Sequence, residues 1–137
     1  MVDLAYLGGR GPVSLWSIAK RQGVSEPYLE RVIAPLKTAG LIIGTRGAGG
    51  GYSINCNPKE VSAGDILKIL EGPLLPVDCV SDEQGNACHG SNCLTCVTKP
   101  IWEKLYESMN SVLDSIRLSD LAEDYKRLLE NQQELVL

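Results

Sequence analysis

Four of the five cysteines in this 137-residue chain fall within 18 residues: Cys79, Cys88, Cys93 and Cys96. Thiolates are soft ligands, and four at short spacing can hold zinc or an iron–sulfur cluster. The pattern is Cys79-x8-Cys88-x4-Cys93-x2-Cys96, so only the last pair forms a CxxC knuckle. Two separated knuckles would select structural zinc. This looser spacing leaves zinc and iron–sulfur level, with metal-free reactive thiols as a third reading. His89, the only histidine, is either a competing ligand beside Cys88 or an exposed loop residue. Cys56 stands apart and has the character of a small buried apolar residue. The four cysteines lie between Pro76 and Pro100, in a stretch rich in Gly, Asn, Ser and Asp. No apolar periodicity there could build a core, and structureless segments of such length are functional or disordered.

The rest of the chain bounds what such a site could control. Hydrophobic content is 44%, aromatics are 5% and phenylalanine is absent, so a core must rest on aliphatic residues. No apolar run approaches the ~18 residues of a membrane span, and no basic segment leads a signal peptide. An odd cysteine count argues against a closed disulfide framework, and reduced thiols fit a cytoplasmic protein. Net charge is −4, but residues 1–60 carry seven Lys/Arg against four acids and residues 61–137 carry six against thirteen. A basic working surface on an acidic remainder fits a nucleic-acid partner better than the total suggests.

Punctuation by Ser, Gly and Pro outlines the elements. Val2–Leu7 has the form of a helix tail with a glycine C-cap at Gly8-Gly9. A second helix is predicted from Ser14 as N-cap to Gln22, stopped by Gly23. Ser25-Glu26-Pro27 opens a third, which runs to Thr38-Ala39 with Pro35 expected to bend or loosen its last turn. Leu41-Ile42-Ile43 and Gly51-Tyr52-Ser53-Ile54 are predicted strands around the slender tip Arg46-Gly47-Ala48-Gly49-Gly50. A helix over about residues 62–71 with Ser62 as cap ends at Gly72-Pro73. Pro100 opens a long helix with Ile101, Leu105, Met109, Val112, Leu113 and Ile116 at steps of three and four, and a last helix starts near Ser119. The tail from Glu134 is expected to fray. The fold class is mainly α with a small β-hairpin wing. The expected division is residues 1–72 as a winged helix-turn-helix, 73–99 as a cysteine-rich loop, and 100–137 as a long helix with a C-terminal helix.

Helix, glycine turn, second helix and hairpin follow the order of a winged helix-turn-helix. The helix over 26–39 would enter the major groove and present Pro27, Tyr28, Glu30 and Arg31 near its start. Arg46 on its glycine tip could reach a minor groove or a phosphate, and Lys20, Arg21 and Lys37 could neutralise phosphates. Each has a plainer role. Tyr28 could pack on the helix surface, and Arg46 could be a solvated turn charge. Glu30 either accepts from a cytosine amino group or pairs with Arg31 or Lys37. The glycine run lacks the Lys-Ser/Thr of a P-loop and opens no helix, which excludes nucleotide binding there. No Ser/His/Asp set and no carboxylate pair beside a glycine turn is present, so the chain is not expected to be an enzyme.

Three stretches together resemble the IscR-like family of winged-helix regulators: Val24-Ser25-Glu26-Pro27-Tyr28-Leu29-Glu30, Gly40-Leu41-Ile42 with Arg46 to Tyr52, and Cys93-Leu94-Thr95-Cys96 before Trp102. The likeness spans nearly the whole chain. It implies a homodimeric transcription regulator of iron–sulfur assembly genes that binds a pseudo-palindromic double-stranded operator, with the long helix pairing the protomers and no membrane. It implies a [2Fe–2S] cluster on Cys79, Cys88 and Cys93, with Tyr28, Glu30 and Arg46 at the family's DNA-reading positions. The family's fourth ligand is commonly a histidine; Cys96 stands in that place, and the Cys79–Cys88 gap is longer than usual. An all-cysteine set keeps [4Fe–4S], as in nitric-oxide-sensing relatives, and zinc in play, and a zinc-stabilised interaction module or a Cys93–Cys96 thiol switch are the rivals. Family chains begin with a basic segment, so Met1 is expected to be an internal methionine.

Overall fold

The computed structural model of the chain describes residues 1–80 and 95–135. Helices α1 (Val2–Tyr6), α2 (Leu15–Gln22) and α3 (Glu26–Thr38) precede an antiparallel hairpin of β1 (Ile42–Thr45) and β2 (Gly51–Ile54). Then come α4 (Ala63–Glu71), a 3-10 turn at Asp78–Val80, α5 (Lys99–Ser115) and α6 (Leu118–Leu135). This is the helical, hairpin-winged architecture expected of the sequence.

The caps explain most boundaries. The Ser14 and Ser25 hydroxyls accept from the backbone N–H groups of Ser17 and Tyr28, satisfying donors that open α2 and α3. Gly23 ends α2 in the left-handed conformation that glycine adopts without strain. Three boundaries differ from expectation. Helix α1 closes on Leu7, whose N–H donates to the Asp3 carbonyl, so no left-handed glycine is needed at its cap. Leu41 belongs to the stop of α3 and not to the strand, because its N–H donates to the Leu36 carbonyl. Helix α3 continues through Pro35, whose carbonyl accepts from Ala39 N–H. The missing proline donor leaves the helix intact to Thr38.

Leu4, Ile18, Ile33, Leu36 and Ile42 form the buried centre, covered by Leu29, Val32, Tyr52, Ile66 and Leu70. The core therefore takes residues from α1, α2, α3, the hairpin and α4. Helix α1 also packs on α6, with the Tyr6 and Tyr125 rings edge to face at 5.5 Å. Beneath that contact Asp3 is 5% exposed and accepts from Arg21 Nε at 3.0 Å and Nη2 at 2.7 Å. A buried carboxylate needs such a partner, because an unpaired charge there is costly.

The most enclosed point joins the segment after the hairpin to the α5–α6 corner. Ala63 N–H donates to the Ile116 carbonyl at 2.8 Å, Leu118 N–H to Val61 at 2.9 Å, and Ser119 N–H to Pro58 at 2.9 Å. Leu118 is fully buried there, and Ser62 is 2% exposed. Ser62 also caps α4. Its hydroxyl accepts from Asp65 N–H while its own N–H donates to the Asp65 carboxylate, a complete capping box. One helix turn matters as much: a Cβ on Gly64 would overlap the Asp114 carboxylate, so glycine lets α4 and α5 approach. Lys68 Nζ lies 3.1 Å from that same carboxylate.

These bonds from Ser62 hold the Asp65 carboxyl below the usual aspartate range. A carboxyl depressed on folding stabilises above its unfolded value, and the gain is lost as pH falls through its folded value. Asp65→Ala is therefore expected to cost about 1 kcal/mol near neutral pH. The difference from wild type should shrink toward zero on acidification, as read by urea unfolding across pH.

Candidate nucleic-acid interface and cysteine loop

Helix α3 has one inward and one outward face. Leu29, Val32, Ile33 and Leu36 turn inward, which leaves Pro27, Tyr28, Glu30, Arg31 and Lys37 exposed on α3. Tyr28 is 54% exposed, too open for a packing role on its own helix. Among the described residues Glu30 makes no ion pair, with Arg31, Lys37 or any other cation. Arg31 is equally open, one residue further along.

The wing is built to be thin and stiff. Ile42 faces Ile54, Gly44 faces Tyr52, and Thr45 faces Gly51. Val13 adds a third partner: its N–H donates to the Tyr52 carbonyl at 2.9 Å, and Tyr52 N–H returns a bond at 2.8 Å. The approach is so close that a Cβ on Gly51 would overlap the Val13 carbonyl. Arg46 stands exposed where the tip begins. Lys37, at the end of α3, comes to the same place: a Cβ on Gly44 would lie 3.6 Å from its Nζ and 3.5 Å from the Tyr52 ring. Reading helix and wing thus share one edge, with cations from both.

Two basic residues of α2 go different ways. Arg21, expected to meet phosphate, is instead bound to Asp3 and hydrogen-bonded to the Ser17 hydroxyl. Lys20 lies exposed over the Trp16 ring, with Nζ 4.9 Å from its centroid. Trp16 was missed in the sequence. The signal was available, since Leu15, Ile18 and Ala19 already fill the apolar face of α2 and leave a tryptophan outside it.

The cysteine loop is bracketed by two described thiols. Cys79 sits in the 3-10 turn that packs on α5, and Cys96 lies just ahead of that helix. The Cys96 sulfur is 3.3 Å from the Thr98 hydroxyl. That hydroxyl, with the N–H groups of Thr98 and Lys99, favours its thiolate and lowers its pKa. Cys88, His89 and Cys93 lie outside the described residues. Among the described residues no three His, Cys, Asp or Glu side chains gather as a metal site. Cys56 is half-buried and its thiol is pushed up by burial, in keeping with a packing residue.

Helix α5 turns Ile101, Leu105 and Val112 outward, at 64%, 49% and 58% exposure, with Trp102 beside them. No helix among the described residues is long and apolar enough to cross a membrane. These residues make an exposed apolar stripe along one helix.

The family model for Rrf2, described as an iron-dependent transcriptional regulator, matches residues 1–124. The HTH-type transcriptional regulator CymR of Bacillus subtilis is 40% identical over 122 residues, 89% of this chain and 80% of the relative. Its solved structure aligns with a TM-score of 0.72 at 39% identity, covering 89% of this chain and 86% of that one. The HTH-type transcriptional regulator IscR of Aliivibrio salmonicida is 35% identical over 124 residues, 90% of this chain and 71% of the relative. The structure of T. potens IscR aligns with a TM-score of 0.71 at 46% identity, covering 90% and 78% of the two chains.

The free carboxylate on the reading helix yields a test. Glu30→Ala is expected to reorder the affinities of a panel of duplexes, shifting individual base pairs by about 1–3 kcal/mol. Arg46→Ala is expected to weaken all of them together. Competition binding on the panel checks both, and uniform weakening by Glu30→Ala would show that it reads no base.

Proposed function

As the chain belongs to the Rrf2 family of transcriptional regulators and is not an enzyme, we propose that it is a homodimeric, operator-binding regulator in the cytoplasm whose cysteine loop carries an iron–sulfur cluster. Its genes, on this reading, are those of iron–sulfur cluster assembly. The observation that carries the proposal is the placement of Cys79 and Cys96 at the two ends of the loop, both beside α5. Four thiols in one loop suit a soft or borderline centre and fit poorly with hard cations. Cys79, Cys88, Cys93 and Cys96 would hold the cluster. When bound, it supplies a redox-active, removable cross-link between the end of α4 and the start of α5.

The chain's own residues do the rest. Residues 1–72 are the reading head, with Pro27, Tyr28, Glu30 and Arg31 toward base edges and Lys20, Lys37 and Arg46 toward backbone or minor groove. Residues 73–99 are the sensing loop. Residues 100–137 pair two protomers, so that two copies of α3 meet half-sites about one helical turn apart, or a multiple of it, on a pseudo-palindrome. The preferred cluster is [2Fe–2S], with [4Fe–4S] the alternative for an all-cysteine set. A second reading, control of cysteine metabolism, is favoured by the likeness to CymR, whose solved structure is described as that of the global cysteine regulator of B. subtilis. In that case the loop thiols sense redox state or metal rather than cluster supply.

Anaerobic reconstitution separates these readings. Visible absorption with about two or four irons per chain supports the cluster, and Cys88→Ser or Cys93→Ser should bleach it. Cys96→His should keep the colour and raise the reduction potential, because imidazole ligation does so. Colourless protein with stoichiometric zinc after the same treatment excludes the cluster. For the dimer, Leu105→Asp is expected to give monomers by sedimentation and to lower operator affinity by at least about tenfold, since a half-site is then bound alone.

A further inference from the structure

A lone exposed aromatic is ordinary, but Trp16 is not alone. It is 60% exposed and lies one turn before Lys20, whose ammonium sits over the indole. Two adjoining faces of α2 therefore do different work. Arg21 and Ser17 face Asp3 and the α1–α6 side, where the cation is used inside the fold. Trp16 and Lys20 are exposed on the adjoining face, with the lysine ammonium over the indole. Among the described residues Lys20 makes no ion pair.

The ends of α2 fix where this flank lies. Three residues before Trp16, Val13 is hydrogen-bonded in both directions to Tyr52 of the wing. Ser14 then caps the helix, so its first turn is tied to the strand that follows the Arg46 tip of the hairpin. At the far end Gly23 leads into the reading helix α3. Helix α2 therefore spans from wing to reading helix, the position from which the first helix of a helix-turn-helix crosses the sugar-phosphate backbone. A flat apolar ring can lie against deoxyribose, while an ammonium already oriented on its face meets the adjoining phosphate.

We infer that Trp16 and Lys20 form a two-part clamp on the sugar-phosphate backbone beside each half-site, with the indole on a deoxyribose and the ammonium on the neighbouring phosphate. The clamp carries no base information; it sets the depth and register at which α3 docks. This inference rests on the DNA-regulator reading above, and its test keeps the two apart.

The probe is the set of duplexes that the wild-type dimer enriches from a randomised pool, examined by hydroxyl-radical footprinting and salt-dependent binding. Trp16→Ala should erase protection of one outer sugar per half-site while the inner protections remain. It should lower affinity about tenfold, equivalent to uncovering about 60 Å² of ring per complex. Its salt slope should match wild type, whereas Lys20→Gln should reduce that slope by about one per protomer. Trp16→Gln gives the same footprint change with a different side chain, and unchanged melting temperatures show that both variants fold. If Trp16→Ala keeps the full footprint and wild-type affinity, the clamp is wrong while the regulator reading stands. If the wild-type protein enriches no duplex at all, the regulator reading itself fails.

Discussion

The clasp between residues 58–63 and the α5–α6 corner is the constraint on which the architecture hangs. Three backbone hydrogen bonds cross it, Leu118 is sealed beneath them, and Ser62 serves both the clasp and the cap of α4. Such groups are costly to leave unpaired in a buried place, so the corner cannot drift from the segment it holds. The close approach of α4 and α5 at Gly64 follows from it. So does the position of α3, which packs on α4. The reading helix is thus oriented through a short series of rigid contacts that begins at the helix expected to pair two protomers.

That series gives physical content to the sensing proposed above. The cysteine loop leaves from beyond α4 and returns at α5, the two elements that Gly64 and the Lys68–Asp114 pair hold together. A ligand held by Cys79 and Cys96, as proposed, would act on both ends of one packed pair. It can bias α3 only to the extent that its affinity differs between two arrangements of that pair.

Local signals were legible in the residues, and distant ones were not. Ser14, Gly23, Ser25 and Ser62 mark helix ends because capping depends on chemistry within three or four residues. The apolar faces of α3 and α5 could be read from their spacing for the same reason. By contrast, the bond from Leu118 to Val61 joins positions more than fifty residues apart and leaves no periodic trace. Arg21 shows the same limit at a candidate site. Its type and its place on α2 suggested phosphate, but a buried Asp3 on another helix claims it. Pro35 shows a local rule overruled, since tertiary packing on both sides of α3 holds a helix that one missing donor would loosen.

The contact between α1 and α6 bears on how the molecule is made. The first helix in chain order rests on the last, ring against ring at Tyr6 and Tyr125. A chain synthesised from its N-terminus at about 5–20 residues per second holds its reading elements in hand well before their supporting wall exists. Helix α1 shares the core with α2, α3 and the hairpin through Leu4, but its contact with α6 waits until α6 has left the ribosome. The Asp3–Arg21 pair gains the neighbouring wall of α6 only at the end of that interval.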